Sequence, residues 1–238
     1  MRWLNAHADL ILCGTELVAQ DFHRLERSLG LSESPTVQIG YGIDLAAMPY
    51  DERRPKHFDA VLLGRLHEHK GIFELPWIWK EVIAQRPGAK LLIIGEGPHR
   101  SRLEMIFGEL GLRELVTFTG GVGETEKNTL LVQARVGLSL SFEEGWGLSI
   151  NEFLGAGLPV VAYDLPIFGQ VFPGQLDLVK PGDRSSAAKK VLALLEDELR
   201  QREQGGRGRD FVARYDYRKV AQVELQALQS AVSKARNG

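Results

Sequence analysis

Two carboxylates, Glu144 and Glu152, stand with seven residues between them and flank the start of an expected helix. The first N–H groups of that helix, near Gly147, Leu148 and Ser149, lie between them. Unpaired N–H groups and the helix dipole make such a start an anion site. A carboxylate beside it can act as a cap or accept from hydroxyls. Two of them around an anion site point to a ligand that is both phosphorylated and rich in hydroxyls, as a sugar nucleotide is. Arg65 and Lys70 add a planar fork for phosphate and a mobile point charge. They follow a wholly apolar run, at the edge where ligands of open parallel sheets bind.

Local elements must position these groups. Val136–Phe142 reads as a strand, Leu148–Ala156 as a helix stopped by Gly157 and Pro159, and Pro159–Tyr163 as the next strand. Upstream, Ala8–Cys13 and Thr36–Ile39 read as strands around a helix that Thr15 caps and Gly30 stops. A charged connector, Tyr50–His57, precedes the strand Ala60–Gly64 and a helix over Ile72–Gln85. Strand Ala89–Ile94, helix Arg100–Leu110, strand Leu115–Phe118 and helix Glu124–Ala134 continue the alternation. After strand Leu176–Val179, Asp183 or Ser185 caps a helix reaching Glu196. Helices over Leu199–Arg214 and Tyr217–Lys234 end the chain. Short apolar strands alternating with helices predict an α/β fold, a Rossmann-like parallel sheet with helices on both faces.

The run EEGWGLSINEFLGAGLPVVA, from Glu143 to Ala162, resembles the E-x7-E signature of the retaining glycosyltransferases of family 4 (group 1). Their GT-B fold sets two Rossmann-like domains face to face. G-R-L…K-G, from Gly64 to Gly71, resembles the family's diphosphate clamp. Gly95-Glu96-Gly97-Pro98 resembles its G-x-G-P turn near the nucleotide. Thr119-Gly120-Gly121-Val122 resembles the turn whose backbone meets the base. Pro181-Gly182-Asp183 matches its P-G-D turn. Tyr41 stands where the family has Asn, and Leu165–Gln170 lacks the family's Gly-Gly and Glu.

The resemblance implies roles. Arg65, Lys70 and the backbone of Gly147 and Leu148 would hold the diphosphate. Glu152 would hold the ribose hydroxyls, and Glu144 would meet those of the donor sugar. Gly97, Gly120, Gly121 and Val122 would line the nucleotide. Residues 1–52 would be a remnant of the N-terminal acceptor domain or linker, and 53–238 the donor domain. The reaction would be metal-independent and need no cofactor beyond its substrate, a UDP- or GDP-type sugar. An acceptor glycan, lipid or small molecule would bind a missing N-terminal domain. The isolated chain would then bind nucleotide and transfer sugar poorly unless a partner chain supplies that half. The last helix, which crosses to the N-terminal domain in the family, would expose an apolar stripe from Tyr217 to Val232 and promote self-association.

Composition excludes other classes. The 238 residues are 44% hydrophobic and 25% charged with net charge −2, which gives no footing for nucleic-acid binding or polybasic anchoring. A single cysteine, Cys13, forms no internal disulfide and fits a reducing, cytoplasmic setting. No apolar run reaches the ~20 residues of a membrane span, though peripheral contact with the inner face of a membrane stays compatible. His67-Glu68-His69 lacks the i, i+4 spacing of a zinc protease, so no metal is expected. Gly95–Pro98 fails the dinucleotide spacing, which disfavours a dehydrogenase. No lysine motif suits a pyridoxal-phosphate phosphorylase. A non-catalytic nucleotide-sugar-binding module and a sugar-nucleotide epimerase of the same fold are the alternatives.

Overall fold

The computed structural model describes residues 7–50 and 55–237. The expected domain boundary at 52/53, and half of the charged connector around it, fall in residues 51–54, outside the described residues. The chain divides into two compact units: Leu45–Ala213, and a smaller one built from the stretch up to Asp44 together with Arg214 onward.

In the smaller unit, β1 (Ile11–Cys13) pairs in parallel with β2 (Thr36–Gln38). Helix α1 (Glu16–Ser28) joins them, and the Thr15 hydroxyl caps it by accepting from Val18 N at 3.2 Å. Glu26, fully buried, accepts from the Ser34 N–H and hydroxyl, at 3.1 and 2.6 Å, which satisfies its charge. The Tyr41 ring lies against Gly14, so the departure from Asn fills space that Gly14 leaves open.

The larger unit is a six-stranded, wholly parallel sheet. Its strands are β3 (Phe58–Leu63), β4 (Leu91–Ile94), β5 (Val116–Gly120), β6 (Ala134–Ser139), β7 (Val160–Tyr163) and β8 (Leu176–Val179), in the order β5-β4-β3-β6-β7-β8. Helices α2 (Leu75–Gln85), α3 (Arg100–Glu109), α4 (Glu124–Leu131), α5 (Leu148–Gly155), α6 (Pro166–Val171), α7 (Arg184–Glu196) and α8 (Glu198–Val212) intervene or follow. The final helix, α9 (Tyr217–Asn237), belongs to the smaller unit.

The strands are apolar throughout because both sheet faces are covered. Ala60 and Leu62, Leu91 and Ile93, Val136 and Leu138, and Val161 and Tyr163 join one core cluster with Trp79 of α2, Phe107 of α3 and Leu194 of α7. The alternate residues Val61, Leu92 and Val160 are equally buried but outside that cluster, the period of two expected of a strand. On that other face Phe153 of α5 fills the space above Gly137, and Gly205 and Gly208 let α8 close onto Gly157 and Leu154. Glycines inside a helix cost about 1 kcal/mol each, and here Gly205 permits an approach to the Gly157 carbonyl that any side chain would block, while Gly208 leaves room for the Leu154 side chain.

The α/β parallel sheet is as expected, with shifted boundaries. The helix expected over Ile72–Gln85 starts at Leu75, after a 3-10 turn over Glu68–Lys70. The helix expected to reach Ala134 stops at Leu131, and Ala134 opens β6. The His57 and Phe58 N–H groups donate to the Gln133 carbonyl at 2.8 and 3.1 Å, so sheet pairing overrides the helical pattern there. Helix α6 was not expected; Pro166 at its first turn pre-sets the helical φ. Among the described residues no helix is long and apolar enough to cross a membrane.

Candidate functional site

After β3, β4 and β5 run outward in one direction, the chain returns to the opposite side of β3 as β6. The crevice beyond the carboxyl ends of β3 and β6 is therefore the topological switch point, where open α/β sheets bind ligands. Arg65 and Lys70 follow β3, and Glu144 and Gly147 follow β6. Arg65, Lys70, Glu144 and Gly147 thus lie at the same end of the sheet.

Backbone hydrogen bonds stitch the loops of that edge together. Leu66 N donates to Glu96 O at 2.8 Å, Gly95 N to Gly120 O at 2.9 Å, and Phe142 N to His69 O at 2.9 Å. A Cβ on Gly97 would run into the Leu66 carbonyl, and one on Gly71 into the Leu140 carbonyl. These glycines keep the loops close and leave little backbone freedom at the site. Gly120 is buried against Glu96, Gly121 is exposed and Val122 half-buried, so the turn after β5 offers backbone to solvent. His67 and His69 stack at 4.8 Å, and the His67 ring caps the 3-10 turn by accepting from His69 N.

Lys70 forms an ion pair with Glu144, whose Oε1 also accepts from the Ser141 hydroxyl at 2.9 Å. Glu144 is only 10% exposed. Arg65 is exposed at the end of β3. Gly147 takes a left-handed conformation at φ +103° and precedes the first turn of α5, where no side chain caps the N–H groups. Leu148, the first residue of that turn, is exposed. Trp146 is buried and packs edge-on against Phe172 at 6.5 Å, anchoring the loop beneath these groups. A cavity of about 270 Å³ opens beside the 3-10 turn after β3, with Glu68, His69, Glu74 and Phe142 among its walls.

Glu152 lies one turn inside α5, apart from the Lys70–Glu144 pair, and hydrogen-bonds Lys127 of α4. Burial pushes the Glu152 carboxyl above its ordinary range, against the pull of Lys127. Burial pulls the Lys127 ammonium down, and its bonds to Glu124 and Glu152 outweigh that. Glu74, at the start of α2, accepts from Arg184 Nε and Nη2, each at 2.8 Å, and from the Tyr163 hydroxyl at 3.3 Å. The Arg184 hydrogen bonds hold Glu74 below its ordinary value, over the opposing effect of burial. Sequence reading passed over Lys127, Ser141 and the Glu74–Arg184 pair. Only the i, i+3 spacing of Glu124 and Lys127 signalled any of them, and it gave no hint of Glu152.

Comparison with known proteins bears on this geometry. The family model for glycosyl transferases group 1 matches residues 51–211. Glycogen synthase of Mycobacterium tuberculosis is 29% identical over an alignment of 236 positions that covers 96% of this chain and 56% of that protein. The structure of sucrose-phosphate synthase from Thermosynechococcus elongatus superposes with a TM-score of 0.81 at 25% identity, over 98% of this chain and 61% of that one. Anabaena HepE in complex with UDP-glucose superposes with a TM-score of 0.80 at 18% identity, over 98% of this chain and 66% of that one. The chain spans between about half and two-thirds of the length of these relatives.

Proposed function

Because the chain belongs to the group 1 glycosyltransferases, we propose that it binds a nucleoside-diphosphate sugar at the β3–β6 switch point and contributes the donor half of a sugar transfer. The observation that carries this reading is the meeting of Lys70 and Glu144 beside the uncapped start of α5. One cation and a row of N–H groups there face the same edge as Arg65.

In the reaction the bond from the anomeric carbon to the diphosphate oxygen breaks, and negative charge grows on the leaving phosphate. Arg65, Lys70 and the N–H groups at Gly147 and Leu148 stabilise that charge. Removing one preorganised donor of this kind costs ~10²–10³ in rate. Lys70 moves its bond from Glu144 to the diphosphate, which frees Glu144 for the hydroxyls of the sugar. The adjoining cavity offers the Phe142 ring to the sugar's apolar face and carboxylates to its hydroxyls. Glu152 accepts from the ribose hydroxyls. Gly97, Gly120, Gly121 and Val122 line the base through backbone.

The transfer retains anomeric configuration and uses no metal in this reading. UDP-glucose in the Anabaena structure makes a UDP sugar the first donor to test, ahead of a GDP sugar. Acceptor recognition falls to a second Rossmann-like domain, with residues 1–52 as its end and 53–238 as the donor domain. This chain alone then transfers sugar slowly or not at all. Leu225, Leu228 and Val232 of α9 are each about half exposed at spacings of three and four, a stripe suited to self-association.

A thermal-shift panel of UDP, GDP and ADP tests the donor site, with Arg65→Ala as control. Ligand at ~100 times its dissociation constant stabilises by ~2.7 kcal/mol, or about 5–10 °C for a domain of this size. A shift with one nucleotide that Arg65→Ala abolishes supports the reading. A cooperatively melting sample that responds to none of the three overturns it.

A further inference from the structure

We propose that Lys127 is a positioning residue for the donor ribose: it fixes the Glu152 carboxylate in the one orientation that accepts both ribose hydroxyls. This deepens the donor reading and rests on it.

The Lys127 ammonium has three N–H donors, and three carboxylate oxygens take them. Two belong to Glu124, each at 2.7 Å, and the third is Oε1 of Glu152. A lysine with every donor committed has no freedom left to turn. Its side chain is 11% exposed, that of Glu152 23% and that of Glu124 83%, so the lysine is the most buried of the three and links a solvent-facing carboxylate to a partly buried one. Engaging Oε1 leaves Oε2 available to a ligand.

A carboxylate partly withdrawn from water is held charged more readily with a partner, because burying an unpaired charge is costly. Without Lys127, Glu152 takes up a proton or swings outward, and either change spoils a two-hydroxyl acceptor. The placement of Lys127 adds a second link. It sits in the first turns of α4, directly after the Gly120–Val122 turn, so one helix joins the base-facing turn to the ribose acceptor.

A plain structural tether between α4 and α5 would weaken every ligand alike, whereas a ribose-positioning role acts only through the hydroxyls. The experiment therefore measures dissociation constants by calorimetry for UDP, GDP and their 2′,3′-dideoxy counterparts, on the wild type, Lys127→Met, Lys127→Arg and Glu124→Ala. The wild type should prefer the ribo form by roughly 10–100-fold, as expected for hydrogen bonds to a charged group. Lys127→Met should collapse that preference to about threefold or less, leaving dideoxy affinity within about threefold of wild type. Lys127→Arg should keep most of it. Glu124→Ala, which changes an exposed side chain and keeps the fold even if Lys127→Met does not, should lower it part-way.

Equal weakening of both ligand forms in Lys127→Met, or a full ribo preference in Glu124→Ala, overturns the proposal. A wild type that binds both forms equally removes Glu152 from the ribose and overturns it too, while leaving the donor site standing. A wild type that binds none of UDP, GDP and ADP is a different result, and takes the donor reading down with it.

Discussion

Lys70 and Glu144, 74 residues apart in the chain, form an ion pair across the carboxyl ends of β3 and β6. The pair bridges the point where the strand order reverses, and it neutralises a cation and an anion in a spot with limited access to water. In the proposed donor complex the diphosphate draws the Lys70 ammonium away from Glu144. The two residues should respond oppositely to mutation. Lys70→Ala should weaken UDP or GDP binding by about 10–100-fold, the range for a charged hydrogen bond. Glu144→Gln should leave diphosphate affinity unchanged or a few-fold tighter while removing any extra affinity for the sugar-bearing donor. Calorimetry on both variants checks the pair of signs, and equal losses in the two would refute the exchange.

Gly71 combines a φ of +64° with a backbone carbonyl where a Cβ would go. Gly71→Ala should lower the melting midpoint by roughly 5–10 °C, the effect of about 2–3 kcal/mol in a domain this large. Gly206, inside α8, has open space around it. Gly206→Ala should raise the midpoint by about 1–4 °C through helix propensity alone. Thermal melts of the two variants side by side test whether glycine is needed for shape in one place and tolerated in the other.

Glu74 gives a pH dependence of defined sign. Arg184 holds its carboxyl below the ordinary value of 4.5, so the pair stabilises the fold above that pH and the gain is lost as pH falls through the lowered value. Arg184 is 42% exposed, which limits the gain to about 1–2 kcal/mol. Arg184→Met should thus be destabilised at neutral pH, and the gap to wild type should close as the pH is taken below 4.5. Urea titrations across that range decide it. A gap that stays constant with pH would assign the loss to packing over Trp77, 5.7 Å away.

Cys13 is 3% exposed, and burial raises its thiol, with Glu16 adding to the effect. It should react with a thiol reagent only on opening of the smaller unit, far slower than in denaturant. Fast labelling of native protein at neutral pH would show that this unit opens readily.

The order and kind of the elements were legible in the sequence because their signals are local. Apolar runs as short as Leu91–Ile94 mark strands buried on both faces, Thr15 and Asp183 cap helices within three residues, and glycines punctuate turns. Glu144, Gly147 and Glu152 stand out as candidates for the same reason, lying within nine residues of one loop and helix. Where local and distant preferences compete the sequence alone misleads: Ala134 continues a helical pattern yet joins β6 because β3 pairs with it. Only the tertiary structure decided the partners. Lys70 with Glu144, Lys127 with Glu152, and Glu74 with Arg184 are joined across 74, 25 and 110 residues. Charged side chains carry no pattern that names a distant counterpart. The pairing follows from which strand ends the parallel sheet brings side by side, and from the cost of leaving any of those charges buried alone.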